Sequence, residues 1–183
     1  EGHTAHESYD EAQKETLLIL SLYKEFVETE LAIPVLSGKK TEREKFAGAL
    51  DTYAIEGLMS DGKALQMGTS HNLGQHFAEA FDIRFEDKNQ QLNYVWQTSW
   101  GMTTRTVGAL IMVHGDDSGL RFPPRIAPVQ VMILPISERH HDYAYSLDRK
   151  FTEQGLRSDV DSSREKIGYK IREAENQKIP LIL

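Results

Sequence analysis

The chain has 183 residues, 39% apolar and 27% charged, enough for one good core or for one domain plus part of another, and too apolar for a disordered segment. Its formal net charge of -7 argues against a basic protein that coats nucleic acid. It contains no cysteine, which excludes disulfides and thiolate zinc sites, and no apolar run of about 18 residues, which excludes a hydropathic membrane span.

The acidic excess lies wholly in the first 128 residues, because residues 129–183 carry nine acidic and nine basic side chains. A local basic patch is compatible with that balance, so RNA stays open as a partner. Glu1 to His6 reads as a hydrogen-bonded loop, in which His3-x-x-His6 supplies at most half of a metal site. Ser8 and Glu11 have capping-box spacing. After them Ala12, Leu17, Leu20, Tyr23, Phe26, Val27 and Leu31 recur at helical intervals over about six turns. Ala32 to Leu36 reads as a short strand and Gly38 to Glu44 as a charged turn. Gly38-Lys39-Lys40-Thr41 is similar to the end of a phosphate loop, but the first glycine that the pattern needs upstream is absent, so that reading is rejected.

Thr52 to Met59 and Ala64 to Leu73 read as strands around the turn Ser60-Asp61-Gly62-Lys63. In the second strand Gln66, Gly68, Ser70 and Asn72 share one parity, and Leu65, Met67, Thr69 and His71 the other. Two readings stand: a polar edge strand, or a site where Gln66, Thr69 and His71 bind a small polar ligand. Gly74 to Phe81 reads as a short helix with Phe77, Ala78 and Phe81 as its apolar stripe and His76 at the surface. Asp82 to Asn93 reads as a polar loop.

Tyr94 to Pro128 carries the densest signal. Val95, Gln97 and Ser99 alternate with Trp96, Thr98 and Trp100 in a buried strand, and Gly101 permits close backbone approach. A buried helix follows to His114, with Val107, Leu110, Ile111 and Val113 as its apolar run. Arg105, beside Thr103 and Thr104 at the helix start, suits a phosphate or a carboxylate. His114-Gly115-Asp116-Asp117 offers metal or acid–base chemistry or, more simply, a helix C-cap and tight turn. Pro123-Pro124 makes a stiff connection. Beyond it, Val129 to Ile136, Tyr143 to Gly155, Ser158 to Asp161, Ser163 to Gln177 and Ile179 to Leu183 alternate as strand, helix, strand, helix, strand, which predicts parallel α/β structure. Arg164, Lys166, Lys170 and Arg172 give the last helix a basic side, or a solvated face offset by nearby acids.

Four stretches, EGHTAH, ALQMGTSHNLGQ, SWGMTTRTVGALIMVHGDDSGLRFPPRIAP and VQVMILPI, together resemble prolyl-tRNA synthetases of the class II type shared by archaea, eukaryotes and some bacteria. The resemblance covers essentially the whole chain. It implies an α+β catalytic part, a mostly antiparallel sheet with helices, over residues 1–128, and the start of an α/β anticodon-binding domain over residues 129–183. It implies motif 3 at WGMTTR, with Arg105 and Thr103 contacting ATP. Gln66 and Thr69 would hold the nucleotide, Gln66 also near a magnesium ion. His71 would line the proline pocket, and Ser99 and Trp100 would close it.

The implied activity is proline–tRNA ligation in the cytoplasm: ATP and Mg2+ are used, no zinc is bound by this chain, L-proline and tRNA(Pro) are the partners, and neither membrane nor DNA is involved. A homodimer is expected for the full-length enzyme. EGHTAH resembles the tail of motif 2, with motif 1 and the front of motif 2 absent. The chain therefore reads as an internal piece, inactive by itself, with too few residues between EGHTAH and Trp100 for an editing insertion. A threonyl enzyme, expected to show cysteine and histidine zinc ligands, and a synthetase-like binding module without ligase activity are the rival readings.

Overall fold

The computed structural model describes residues 1–183. Its first unit, Glu1–Val113, contains β1 (Gly2–His6), α1 (Tyr9–Thr29), β2 (Val35–Lys39), β3 (Asp51–Leu58), β4 (Ala64–Gly74), α2 (His76–Phe81), β5 (Arg84–Glu86), β6 (Leu92–Tyr94), β7 (Trp96–Met102) and most of α3 (Arg105–His114). Five strands form one antiparallel sheet in the order β1-β7-β4-β3-β2.

The long helix α1 begins where its capping residues predict. Ser8 Oγ accepts from the Glu11 amide at 3.3 Å, and the Glu11 carboxylate accepts from the Glu7 amide at 3.2 Å. Ala12, Thr16, Leu20 and Val27 are its buried stripe. It is fixed to β4 by polar contacts as well as by packing: Ser70 Oγ donates to the Thr16 carbonyl at 2.8 Å, and Asn72 Nδ2 to Gln13 Oε1 at 3.0 Å. Ser70 and Asn72 are fully buried, so these bonds satisfy groups that would otherwise be costly to desolvate. Ile33, Ile55 and Val27 are also inaccessible, each contributing about 1.5–3 kcal/mol by burial. On the outer side of α1, Leu18, Leu22 and Phe26 form an exposed stripe at four-residue spacing.

Several elements differ from the sequence reading. Gly2–His6 is an edge strand, not a loop, in register with Trp96–Trp100. His3 and His6, three apart on a strand, fall on opposite faces and cannot share a metal. The strand Ala64–Gly74 is the middle strand of five, so the polar-edge reading fails. The segment read as a loop before Tyr94 is the hairpin β5–β6. Asp87 accepts from the amides of Asn89 and Gln91, and Gln90 takes a φ of 62°, which together close its turn. The short helix buries Ala78 but leaves Phe81 73% exposed, and α3 leaves Val107 and Ile111 more than half exposed. The strand expected at Ala32 to Leu36 begins at Val35 and runs to Lys39.

The second unit, His114–Leu183, holds a small hairpin of β8 (Gly115–Asp116) and β9 (Gly119–Leu120), then β10 (Val131–Ile133), a 3-10 turn at Glu138–His140, α4 (His141–Glu153), β11 (Ser158–Val160), α5 (Ile167–Asn176) and β12 (Leu181–Ile182). The three later strands are parallel in the order β11-β10-β12, in keeping with the α/β pattern. Val131 and Ile133 pack with Ala144, Leu147 and Phe151 of α4, while Met132 and Leu134 pack with Ala174 of α5. The central strand is thus covered on both faces, which explains its continuous apolar run.

As a compact unit, this part of the chain takes in the segment from His114 onward, ahead of β10. The guanidinium of Arg157 donates to the carbonyls of Arg125 and Ala127, and Gln130 Nε2 donates to that of Pro124, tying the proline-rich segment to β10 and β11. Lys170, read as part of a basic face, is only 2% exposed, and its ammonium donates to the Asp161 carbonyl at 2.7 Å. No helix is long and apolar enough to cross a membrane.

If the Ser8 cap holds α1 as described, Ser8→Ala lowers unfolding stability by about 1 kcal/mol. Urea titration of the two proteins measures it; an unchanged midpoint contradicts the capping role.

Candidate functional site

Strand parity alone separates Gln66 from Thr69 and His71. The structure reunites them through a bulge. Ile55 pairs with Gly68 and the next residue, Glu56, with Gln66, so Met67 is an extra residue in β4. Beyond the bulge Gly68, Ser70 and Asn72 face α1, while Thr69 and His71 face the other way. Before it, Gln66 shares the face of Glu56, Ala54 and Thr52, which is also the face of Thr69 and His71. Ser99 is the register partner of His71 on β7 and joins this face.

The same bulge anchors α3. Arg105 Nη1 donates to the Gln66 carbonyl at 3.3 Å, and Thr106 Oγ1 donates to the Met67 carbonyl at 3.5 Å. Thr103 Oγ1 accepts from the Arg105 amide at 3.3 Å, as a residue capping a helix start does. The guanidinium is exposed and is held by a carbonyl rather than by a carboxylate, so its charge is available to an anion. Gln66, Thr69, His71, Ser99, Thr103 and Arg105 therefore lie along one connected surface. Trp100 does not. It pairs with Ser70, on the α1 face, and its ring lies over Gly2, where an added Cβ would come within 2.0 Å of it. Adjacent residues on a strand point to opposite faces, so Ser99 and Trp100 cannot line one pocket together.

Two residues that sequence reading missed complete the surroundings of His71. Phe46 packs its ring against the imidazole with centroids 5.1 Å apart. Thr52 Oγ1 lies 2.9 Å from His71 Nδ1, and the Thr69 hydroxyl 3.1 Å from Nε2. No local pattern announces either one, because both reach His71 through the β3–β4 pairing and the loop before it. A cavity of about 290 Å³ opens beside them, lined by Phe46, Phe77, His3, Gln97 and Ser99 among others. Gln97 Oε1 is buried without a hydrogen-bond partner, leaving an acceptor for a ligand donor. Larger concavities, of about 580 and 630 Å³, lie over β2 and β3 and against β8 and β9, and neither includes His71 or Arg105.

There is no group of three or more His, Asp or Glu side chains that could hold a metal ion. Gln66 offers a single amide oxygen. Magnesium usually keeps several waters and binds through substrate phosphates, so this donor set fits an ion brought by a nucleotide and not a resident one. His114, Asp116 and Asp117 form no metal cluster, and the hairpin β8–β9 accounts for Gly115 and the turn after it.

Burial holds the His71 pKa below the ordinary histidine value. The unfolded chain then binds this proton more readily than the folded one. The contribution to stability is fully present above the unfolded value, near 6.5, and is lost as pH falls through that value toward the lowered one. Urea midpoints measured from pH 8 down to pH 5 should fall, with His71→Gln showing a shallower fall; equal slopes contradict the assignment.

Comparison with known proteins gives the surface a context. A family model described as "Anticodon binding domain" matches residues 130–183. A proline–tRNA ligase from Clostridium novyi (strain NT) is 55% identical over 186 aligned residues, covering 100% of this chain and 39% of the relative. One from Ruminiclostridium cellulolyticum is 54% identical, covering 99% and 38%. A crystal structure of prolyl-tRNA synthetase from Cryptosporidium parvum, complexed with L-proline and AMP, superposes with a TM-score of 0.88 at 39% identity, covering 98% of this chain and 40% of that one. The chain thus spans about two-fifths of the length of the relatives it matches. By sequence and by fold, the whole of this chain is similar to a stretch of these prolyl-tRNA synthetases.

Proposed function

We propose that the protein containing this chain is a proline–tRNA ligase, and that Gln66, Thr69, His71, Ser99 and Arg105 form part of its prolyl-adenylate site. The observation that carries the reading is the continuous surface on which the Met67 bulge aligns Gln66 with Thr69 and His71 while anchoring Arg105 at its end. Its support is the 55% identity to a proline–tRNA ligase and the likeness to a synthetase complexed with L-proline and AMP.

In the first step the proline carboxylate attacks the α-phosphate of ATP and expels pyrophosphate. In the second, a terminal ribose hydroxyl of tRNA(Pro) takes the prolyl group and releases AMP. Neither step needs a covalent enzyme intermediate. Catalysis then comes from positioning the reactants and from cations placed against crowded phosphates. Arg105 supplies a permanent charge that can pair with phosphate or stack on a base. Thr103 shapes the start of α3, where the helix amides favour an anion. Gln66 and Thr69 contact the nucleotide, with Gln66 near the magnesium ion that ATP carries. His71, backed by Phe46, borders the proline side together with Ser99.

In this reading residues 1–128 belong to a class II catalytic domain and residues 129–183 open an anticodon-binding domain that grips tRNA(Pro). The family match over 130–183 supports the second assignment. The full-length protein works as a homodimer, and the exposed Leu18, Leu22 and Phe26 stripe of α1 is apolar surface that a second copy can cover.

In the full-length protein, Arg105→Ala should lower kcat/KM for proline-dependent ATP–pyrophosphate exchange by on the order of 10²–10³. A non-hydrolysable prolyl-adenylate analogue should raise the thermal midpoint of the unmodified protein. Stabilisation by a threonyl analogue but not by the prolyl one overturns the substrate assignment. Binding of the prolyl analogue without exchange marks a binding module instead.

A further inference from the structure

We propose that Thr52 is a positioning residue: it fixes His71 as the tautomer protonated at Nε2, and so leaves the Thr69 hydroxyl as a hydrogen-bond donor aimed at the ligand. Its ligand-facing half rests on the prolyl-adenylate reading above.

The inference follows from counting protons. Thr52 is 3% exposed, and its Oγ1 accepts from the Phe46 amide at 2.9 Å. A hydroxyl has one proton to give. Here that proton has a partner in His71 Nδ1, 2.9 Å away. If Nδ1 carried a proton instead, it would occupy the second lone pair of Thr52, and the buried Thr52 proton would be left without an acceptor, at a cost of about 1–3 kcal/mol. Nδ1 is therefore the acceptor, and a neutral imidazole must carry its proton on Nε2. Burial of the ring favours the neutral form.

The chain of donors then continues outward. His71 Nε2–H donates to Thr69 Oγ1 at 3.1 Å, so Thr69 is an acceptor toward His71 and its own proton points elsewhere. The register partners of Thr69 are Ala54 and Gly101, which offer no side-chain acceptor. The side chain of Glu1 lies over Gly101 on this face, without a hydrogen bond to Thr69. The open partner for the Thr69 proton is an oxyanion of the ligand, a phosphate or carboxylate oxygen. The relay Phe46 N–H to Thr52 to His71 to Thr69 thus converts a backbone amide in the loop before β3 into the polarity of a ligand contact on β4. Reversing the tautomer would make Thr69 a donor toward His71 and present a lone pair to the same oxyanion.

Long-range proton–nitrogen correlation spectra of the 183-residue chain at pH 8 read the tautomer directly. His71 Nδ1 should resonate as an unprotonated nitrogen and Nε2 as a protonated one; the reverse assignment in the unmodified chain overturns the proposal without any variant. Thr52→Val should move the two nitrogens toward an averaged or reversed pattern, and Thr52→Ser should restore it. In the full-length protein, Thr52→Val should lower proline-dependent exchange by about tenfold, as loss of one hydrogen bond of about 1.4 kcal/mol implies, with Thr52→Ser within about twofold of the parent. The expected tautomer with full exchange in Thr52→Val overturns the ligand-facing half. A full-length protein without any proline-dependent exchange overturns the ligase reading instead, while the spectra still decide the tautomer.

Discussion

One extra residue in the middle strand governs how the site is assembled. Without Met67 as a bulge, Gln66 would point toward α1, and the carbonyls that receive Arg105 and Thr106 would not turn toward α3. A bulge costs a ladder hydrogen bond and bends its strand. Here the bend places one polar face of β4 in continuity with the start of α3. The opposite face is spent on fixing α1, through Ser70 and Asn72. The strand is polar on both sides: one side fixes α1, and the other carries the residues of the proposed ligand surface.

The bulge also separates the chemistry of the surface into two ends. At one end lies Arg105, exposed and held by a carbonyl, with Thr103 shaping the turn into the helix. At the other lies His71, half-buried against Phe46 and held at both nitrogens by threonine hydroxyls. A permanent cation at one end and a half-buried imidazole at the other suit a ligand with an anionic centre and a small, partly apolar group. A mixed anhydride of an amino acid and a nucleotide has that make-up. The second unit, described by itself, is a parallel sheet with helices on both faces.

Much of this was legible in the sequence, and the failures have physical causes. The strand, helix, strand, helix, strand order after Val129 was readable because each element carries a complete local pattern. The α1 cap was readable because Ser8 and Glu11 act within one turn. Strand β1 was missed because its identity depends on pairing with β7, far along the chain. The parity of Gln66 was misleading because no composition rule announces a bulge at Met67. The family resemblance carries both Ser99 and Trp100 to the pocket, and strand geometry sends the two apart. Thr52 and Phe46 escaped because their role exists only after β3 and β4 pair.

The central claim is that Gln66, Thr69, His71 and Arg105 face one ligand. A crystal structure of the full-length protein with a non-hydrolysable prolyl-adenylate analogue tests it most directly. The account predicts the phosphate within about 3 Å of an Arg105 nitrogen or the Thr69 hydroxyl, with the pyrrolidine ring on the His71 side. An analogue bound on the α1 face of the sheet, or one that contacts neither Arg105 nor Thr69, would contradict it.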